Sequence, residues 1–455
     1  MQTGNHTLKN IAVETSVLLS LGHTLAQEKP NIILIMTDQQ TASAMSNRGN
    51  LDLYTPAMDQ LANDGVTFAR AYCSYPLSGP SRASIFTGKM PSEVNIRENG
   101  DSLPNEARVK SLGFNLRTAG YDCLYAGKWH IPGINHPDNN EFGFENICNM
   151  NDPKMAYNIE KALSEDRDKP FFLVASYLNP HEACEYARSQ TLHYGQINVP
   201  DNAKLPLLPE NFNAVEQLPE LVEIHKNISP KLYPTKNYTT LDWQRYLYVY
   251  NRLVERVDKE IGKLLRILKD KGLYDNSIII FTSDHGDGVA AHQWNQKRVL
   301  FEENMNIPLI IKPKGKTKAV GTVNDQALVN IGIDIFPTVC DYAQTQIPEE
   351  LNGISMKDLI NGDTNITHQS IFVETNLDGL QAARGWAVIK GDYKYVFYRF
   401  FKHREQLFNL KEDKGETTNL LTDPAYMHIY KMMKDEMRMH AKRVNDEMLI
   451  KDLNF

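Results

Sequence analysis

Three short stretches of the sequence carry side chains suited to holding charge. Two are acidic: Thr37-Asp38-Gln39-Gln40 and Ser283-Asp284-His285-Gly286, each directly after an apolar run. In an open α/β sheet, ligands bind at the carboxyl ends of the strands. Two carboxylates brought together there repel unless a cation or a shared proton lies between them, so the pair points to a metal. The alternative is that each aspartate only caps the turn or helix that follows it. The third stretch is Ser78-Gly79-Pro80-Ser81-Arg82-Ala83-Ser84-Ile85-Phe86-Thr87-Gly88. Gly-Pro makes a tight turn, and Ser81 is placed to cap a helix beginning near Arg82. Such a helix start presents backbone N–H groups to an anion, with the forked Arg82 guanidinium beside them. Taken alone, the same residues also suit an ordinary turn before a helix.

The order of these stretches resembles the formylglycine-dependent sulfatases of the alkaline-phosphatase-like superfamily. The residues that carry the resemblance are Ser78-x-Pro80-Ser81-Arg82 with Thr87-Gly88 downstream, together with Asp38-Gln39, Gly127-Lys128-Trp129-His130, Asn179-Pro180-His181, Asp284-His285 and Lys297. Leu407-Phe408-Asn409-Leu410 and Glu416-Thr417-Thr418-Asn419-Leu420 are similar to the family's C-terminal pattern, so the likeness runs from about residue 30 to 425. In that family the first motif residue, Cys or Ser, is oxidised to an aldehyde.

The resemblance implies that Asp38, Gln39, Asp284 and His285 hold a divalent cation, with the oxidised Ser78 facing it. Oxygen-rich ligation favours Ca²⁺ over zinc. Gln39 stands where many members have a second Asp, and His285 where many have Asn; an amide oxygen suits calcium better than an imidazole nitrogen does. It also implies that Arg82, Lys128 and Lys297 form a cationic cage for sulfate, with His130 and His181 supplying protons and hydrogen bonds. Lys128 and His130 would hold the formylglycine hydrate, and His181 or Lys297 would help the leaving sugar oxygen depart. A serine attacking sulfur would leave a stable serine sulfate, whereas a hydrated aldehyde has a second hydroxyl with which to expel it. Ser78 in place of Cys implies an oxygen-independent maturation enzyme and a bacterial host. The expected substrate is a sulfated saccharide. The competing readings are a phosphonate or phosphate ester hydrolase of the same superfamily and a silent carbohydrate-binding relative.

These residues need a scaffold. Asn31-Ile32-Ile33-Leu34-Ile35-Met36, Phe171 to Ala175, Ser277 to Phe281 and Ile307 to Ile311 are short apolar runs rich in β-branched residues, suited to strands buried on both faces. Pro308 marks the last run as starting there or lying at an edge. Trp243 to Lys269 repeats apolar residues at a spacing of three to four, predicting a long helix. Strands alternating with helices predict an α/β domain with a large, mixed, mostly parallel sheet flanked by helices. Beyond about residue 345, Ser370 to Glu374, Arg384 to Lys390 and Tyr393 to Arg399 read as strands, the last two joined by Gly391-Asp392 as an antiparallel pair. A charged helix from about Ala425 to Lys442 completes a smaller C-terminal α+β domain. The expected division is 1–26 signal peptide, 27–365 catalytic domain and 366–455 smaller domain.

At the N-terminus, Lys9, the apolar Ile11 to Leu21 and Thr24-Leu25-Ala26 have the order of an export signal, implying a periplasmic or secreted protein; the alternative is a disordered leader. The balance of 49 Lys and Arg against 56 Asp and Glu, a net charge of -7, argues against nucleic acid as a partner. No apolar run approaches the roughly 18 residues of a membrane span. The five cysteines are scattered without a C-x-x-C pair and read as small core residues. Pro200 to Tyr238, with Glu182, Glu185, Tyr186 and Arg188, is expected to wall a sugar site. These residues form no extended basic stripe, which suits the end of a short oligosaccharide and exo action.

Overall fold

The computed structural model describes residues 29–134, 141–214, 218–363, 367–377 and 382–453; the expected export segment lies outside them. Strand β1 (Asn31–Asp38) is apolar on both sides because both sides are covered. Ile32, Leu34 and Met36 face one core and Ile33 and Ile35 the other, all fully buried. The elements that build and position the site include α1 (Pro56–Asp64), β2 (Val66–Phe68), β3 (Ala71–Tyr72), α2 (Ser78–Thr87), β4 (Asp122–Gly127), β5 (Glu145–Asn149), α3 (Asp152–Leu163), β6 (Phe171–Pro180), α4 (Ala183–Ala187), α5 (Thr240–Asp270), β7 (Ser277–Ser283), β8 (Leu309–Lys312), β9 (Thr322–Asn324), β10 (Val329–Asn330) and α6 (Ile331–Tyr342).

Eight of these strands form one sheet in the order β5-β4-β6-β1-β7-β8-β2-β9. Only β8 runs against its neighbours, so the sheet is mixed and mostly parallel. Pro308 precedes β8, and β8 lies inside the sheet between β7 and β2, so the edge position is corrected. A proline just before a strand costs no ladder bond.

Helix α5 starts at a capping box in which Thr239 and Asp242 bond reciprocally. Its buried stripe, including Val257, Ile261 and Leu264, packs with α3 against the β1 face that presents Ile33 and Ile35. Truncating the fully buried Leu264 to alanine would cost about 2–5 kcal/mol. Helices α2 and α6 cover the opposite face through Ile85, Phe86, Ile335 and Phe336.

The C-terminal part is an antiparallel sheet of β11 (Ile371–Asn376), β12 (Arg384–Lys390), β13 (Tyr393–Tyr398) and β14 (Glu405–Asn409). Gly391 makes the β12–β13 turn at a φ of 56°. Helix α7 (Met427–Arg443) lays Met433 and Met437 on Trp386, Val388 and Tyr395 of this sheet, and α8 (Glu447–Leu453) adds Leu449 and Leu453.

Candidate active site

Four adjacent parallel strands, β4, β6, β1 and β7, end on the same edge of the sheet. Asp38 is the last residue of β1, while Lys128, His181 and Asp284 come directly after β4, β6 and β7. Parallel pairing alone therefore gathers these groups, whose sequence positions span more than half the chain. The turn after β4 requires glycine: Gly127 has a φ of 101°, and a Cβ there would lie 1.9 Å from Ser176 O. The amide of Lys128 donates to that same oxygen at 2.8 Å. The end of β6 is held by Asp152, whose carboxylate accepts from the amides of Leu178 at 2.9 Å and Asn179 at 3.1 Å.

Helix α2 delivers Ser78 and Arg82. Ser78, and not a residue near Arg82, is its first residue, and Ser81 does not cap it; the Ser81 hydroxyl donates to Asp284 O at 2.6 Å. The helix starts early because Pro80 lies in its first turn, where no intrahelical N–H is needed and its fixed φ is helical. Arg82 is fully buried. Its Nε donates to Asp284 Oδ2 at 2.8 Å and its Nη2 to Asp38 Oδ2 at 3.0 Å. Its Nη1 donates to Ser176 Oγ at 2.7 Å and Lys128 O at 2.9 Å. Lys128 Nζ reaches Asp38 Oδ2 at 2.6 Å.

The Ser78 hydroxyl lies 3.0 Å from His285 Nε2 and 3.4 and 3.5 Å from the Asp38 oxygens. The other nitrogen of His285, Nδ1, sits 2.8 Å from Gly286 O. A carbonyl only accepts, so Nδ1 carries the proton and Nε2 offers its lone pair toward Ser78.

The charges act on one another strongly. Burial opposes ionisation of Asp38, but Lys128, His181, Arg82 and Lys297 outweigh it and hold the carboxyl well below its usual range. Burial would likewise weaken the charge on Arg82, and Asp284 and Asp38 reverse this and raise its pKa. Lys128 is pushed down, first by burial and then by Arg82 and Lys297, against the pull of Asp38. Desolvation, then Lys128 and Lys297, lower His181 to about 4. His130 is exposed at the rim, yet crowding by protein and the nearby Lys128 charge lower its pKa as well. Both imidazoles are neutral at pH 7. Lys297 is buried, makes no ion pair with any described residue and lies close enough to act on Asp38 and His181 by its charge.

Asp38, Asp284 and His285 each bring a ligand atom within 4.8 Å of the others. Among the described residues Asp38 Oδ1 has only the distant Ser78 hydroxyl as a hydrogen-bond neighbour, and His285 Nε2 has a lone pair. This donor set fits a divalent cation. Gln39 lies beside it through its backbone, whose N–H donates to Asp284 Oδ1 at 3.1 Å. Its side-chain amide is held elsewhere, with Nε2 donating to Asp287 Oδ2 at 2.7 Å and touching Cys184 Sγ. Asp287 was not singled out in the sequence, although it stands in the same Asp-His-Gly-Asp tip. Buried, with its pKa raised to about 6 by desolvation, it also accepts from Tyr246 OH at 2.9 Å and Val289 N at 2.8 Å.

A cavity of about 860 Å³ opens over Lys128, His130 and His181. Glu182 and Glu185 line it, as expected; Tyr186, Arg188 and the described residues between Pro200 and Tyr238 do not. The other walls come from the end of β5, with Asn146, Asn149 and Met150, and from residues 190–193.

Residues 30–345 match the family model for sulfatase, and residues 290–443 match that for the C-terminal part of N-sulphoglucosamine sulphohydrolase. The chain is 29% identical over 430 residues to a Δ4,5-hexuronate-2-O-sulfatase of Bacteroides thetaiotaomicron, covering 89% of this chain and 87% of that protein. Its fold is similar to that of a 2-O GAG sulfatase, with a TM-score of 0.80 at 26% identity over 92% and 93% of the two chains. The phosphonate monoester hydrolase of Agrobacterium radiobacter shares the fold with a TM-score of 0.77 at 22% identity, over 91% and 96%.

Proposed function

The chain belongs to the sulfatase family, and from that premise we propose that it removes O-linked sulfate from a carbohydrate, using a formylglycine made from Ser78 beside a calcium ion. One observation carries the reading. A hydroxyl at the first residue of a buried helix faces His285 Nε2 and the Asp38 carboxylate, and Arg82 and Lys128 are bound to that same carboxylate. The similarity to a hexuronate O-sulfatase supports a sugar as the carrier of the ester.

In this reading Asp38, Asp284 and His285 would hold calcium together with the oxidised Ser78, Gln39 joining them if its side-chain carbonyl turns from Cys184, and the ion would supply positive charge against the oxyanion developing at sulfur. The hydrated aldehyde supplies two hydroxyls on one carbon, one to displace the ester and one to expel the sulfate. Arg82 fixes the two aspartates in place. Lys128 and His130 hold the hydrate by hydrogen bonds, and Lys297, free of any described carboxylate partner, meets the sulfate. His181, neutral in the free protein, hydrogen-bonds the sugar oxygen and, once an anion raises its pKa, protonates it as it leaves. Residues 1–26 serve as an export signal to the periplasm or beyond, residues 27–365 as the catalytic domain and residues 366–455 as the smaller domain. A serine-directed maturation enzyme is the partner that prepares Ser78.

The test is expression with and without such a maturation enzyme, mass spectrometry of the Ser78 peptide, and sulfate release from sulfated sugars. Matured protein should act on aryl sulfate in preference to aryl phosphate, and unmatured protein should be nearly inert. Full activity from protein carrying unmodified Ser78, or a preference for phosphate, would overturn the proposal.

A further inference from the structure

The wall of the cavity over Lys128, His130 and His181 is poor in lysine and arginine and carries two glutamates. Lys128 is the one lysine or arginine among its described lining residues, and its ammonium is committed to Asp38 at 2.6 Å. Asn146, Asn149, Gln190 and Thr191 offer neutral amides and a hydroxyl. The two anionic lining residues differ. Glu182 is buried and compensated: it accepts from Asn179 Nδ2 at 2.7 Å, Tyr194 N at 2.9 Å and Arg256 Nη1 at 3.2 Å. Glu185 is half-buried, its Oε2 has no hydrogen-bond partner, and the nearest group able to carry positive charge is His181 Nδ1 at 3.7 Å. The Oε2 atom itself is buried; burial would raise the pKa of this carboxyl, but His181 and Arg188 outweigh it and hold the group below its usual range, so Glu185 is an anion in this wall.

A hexuronate, or a sugar with a second sulfate, carries an extra negative charge into this space. That charge would lose water without gaining a lysine or arginine partner beyond Lys128 among the described lining residues, and would face Glu185. An uncharged sugar offers hydroxyls and amides that the neutral wall can match. We infer that the substrate is a sulfate ester of an otherwise uncharged sugar, a hexose or N-acetylhexosamine, and that Glu185 is a specificity-determining residue against anionic ones. The inference rests on the sulfatase reading above and narrows it.

The experiment uses matured, calcium-loaded full-length protein at pH 8, where an ordinary imidazole is uncharged. Four probes are compared: a monosulfated hexose, a monosulfated N-acetylhexosamine, a monosulfated hexuronate and a disulfated hexosamine. The two neutral sugars should show kcat/KM at least about tenfold above the two anionic ones, as expected for one like-charge contact in a partly buried site. Glu185 also touches His181, so E185Q is read only as a ratio, which should narrow several-fold between neutral and anionic probes. Asn149 is exposed at the rim, so N149K tests the same point without disturbing the core, and it should favour the hexuronate. Equal or faster turnover of the hexuronate, or ratios unchanged in both variants, would overturn the inference while leaving the sulfatase reading intact. Failure to release sulfate from any of the four, with the aldehyde verified in place, would overturn the reading itself.

Discussion

Arg82→Ala probes the assembly of the site most directly, because the side chain is fully buried and joins both aspartates. Among the described residues its removal leaves Asp284 Oδ2 without an ion pair and Asp38 with Lys128 as its remaining ion-pair partner. Breaking a buried pair by deleting one partner costs about 3–5 kcal/mol, and at zero exposure no discount for solvent screening applies. Over 455 residues the unfolding entropy is about 1 kcal/mol/K, so the melting temperature should fall by about 3–5 °C. kcat should fall by about a hundredfold, the scale of losing one preorganised donor. Arg82→Lys keeps the charge but cannot fork to both carboxylates, and should recover about half of the stability.

The sign of the pH dependence follows from Asp38. Its pKa is lowered in the folded state, so its ionised form stabilises the fold above the unfolded carboxyl value and loses that contribution as pH falls through the folded one. The gap in melting temperature between parent and Arg82→Ala should therefore be full above about pH 4 and shrink below it, as Asp38 protonates. Calorimetry in the presence of a chelator, so that no bound cation replaces the lost charge, measures the gap. A fall of less than about 1 °C, or a gap that does not change with pH, would refute this account of Arg82.

Gly127→Ala should destabilise the protein by about 3 kcal/mol and lower kcat by displacing Lys128, since its Cβ would meet Ser176 O; an unchanged melting curve would show that β4 ends differently. Chelation should abolish activity. By calorimetric titration Asp284→Ala should weaken calcium binding more than His285→Ala, because it removes a charge as well as a ligand; the reverse order would count against the ligand set. Lys128→Met should raise the His181 pKa from about 4, as a neighbouring positive charge disappears, and an NMR titration that finds no rise would mean that burial alone depresses it.

The main sheet was legible because β1, β6 and β7 are buried on both faces and so read as unbroken apolar runs. Strand β4 was not foreseen: it is short, and Asp122, Cys123, Tyr125 and Gly127 blur the apolar signal, although it is buried from Cys123 onward. Strand β14 escaped for a similar reason, with Glu405 and Gln406 at its start. The residues able to do chemistry were recognisable from type and order, since the turns after parallel strands are where such groups must stand. Which of them meet was decided by the strand order β4-β6-β1-β7, which no local pattern encodes. The same holds for Ser81, whose hydroxyl serves Asp284 instead of its own helix, and for Asp287, whose role depends on the side chain of Gln39. The cavity walls were misread in part because loops carry no periodicity, and the side chains of β5 and residues 190–193 reach the site only through the packing of the sheet and α4. Local spacing records which face of an element is buried; the partner across that face is chosen by long-range pairing and close packing, which exist only in the folded chain.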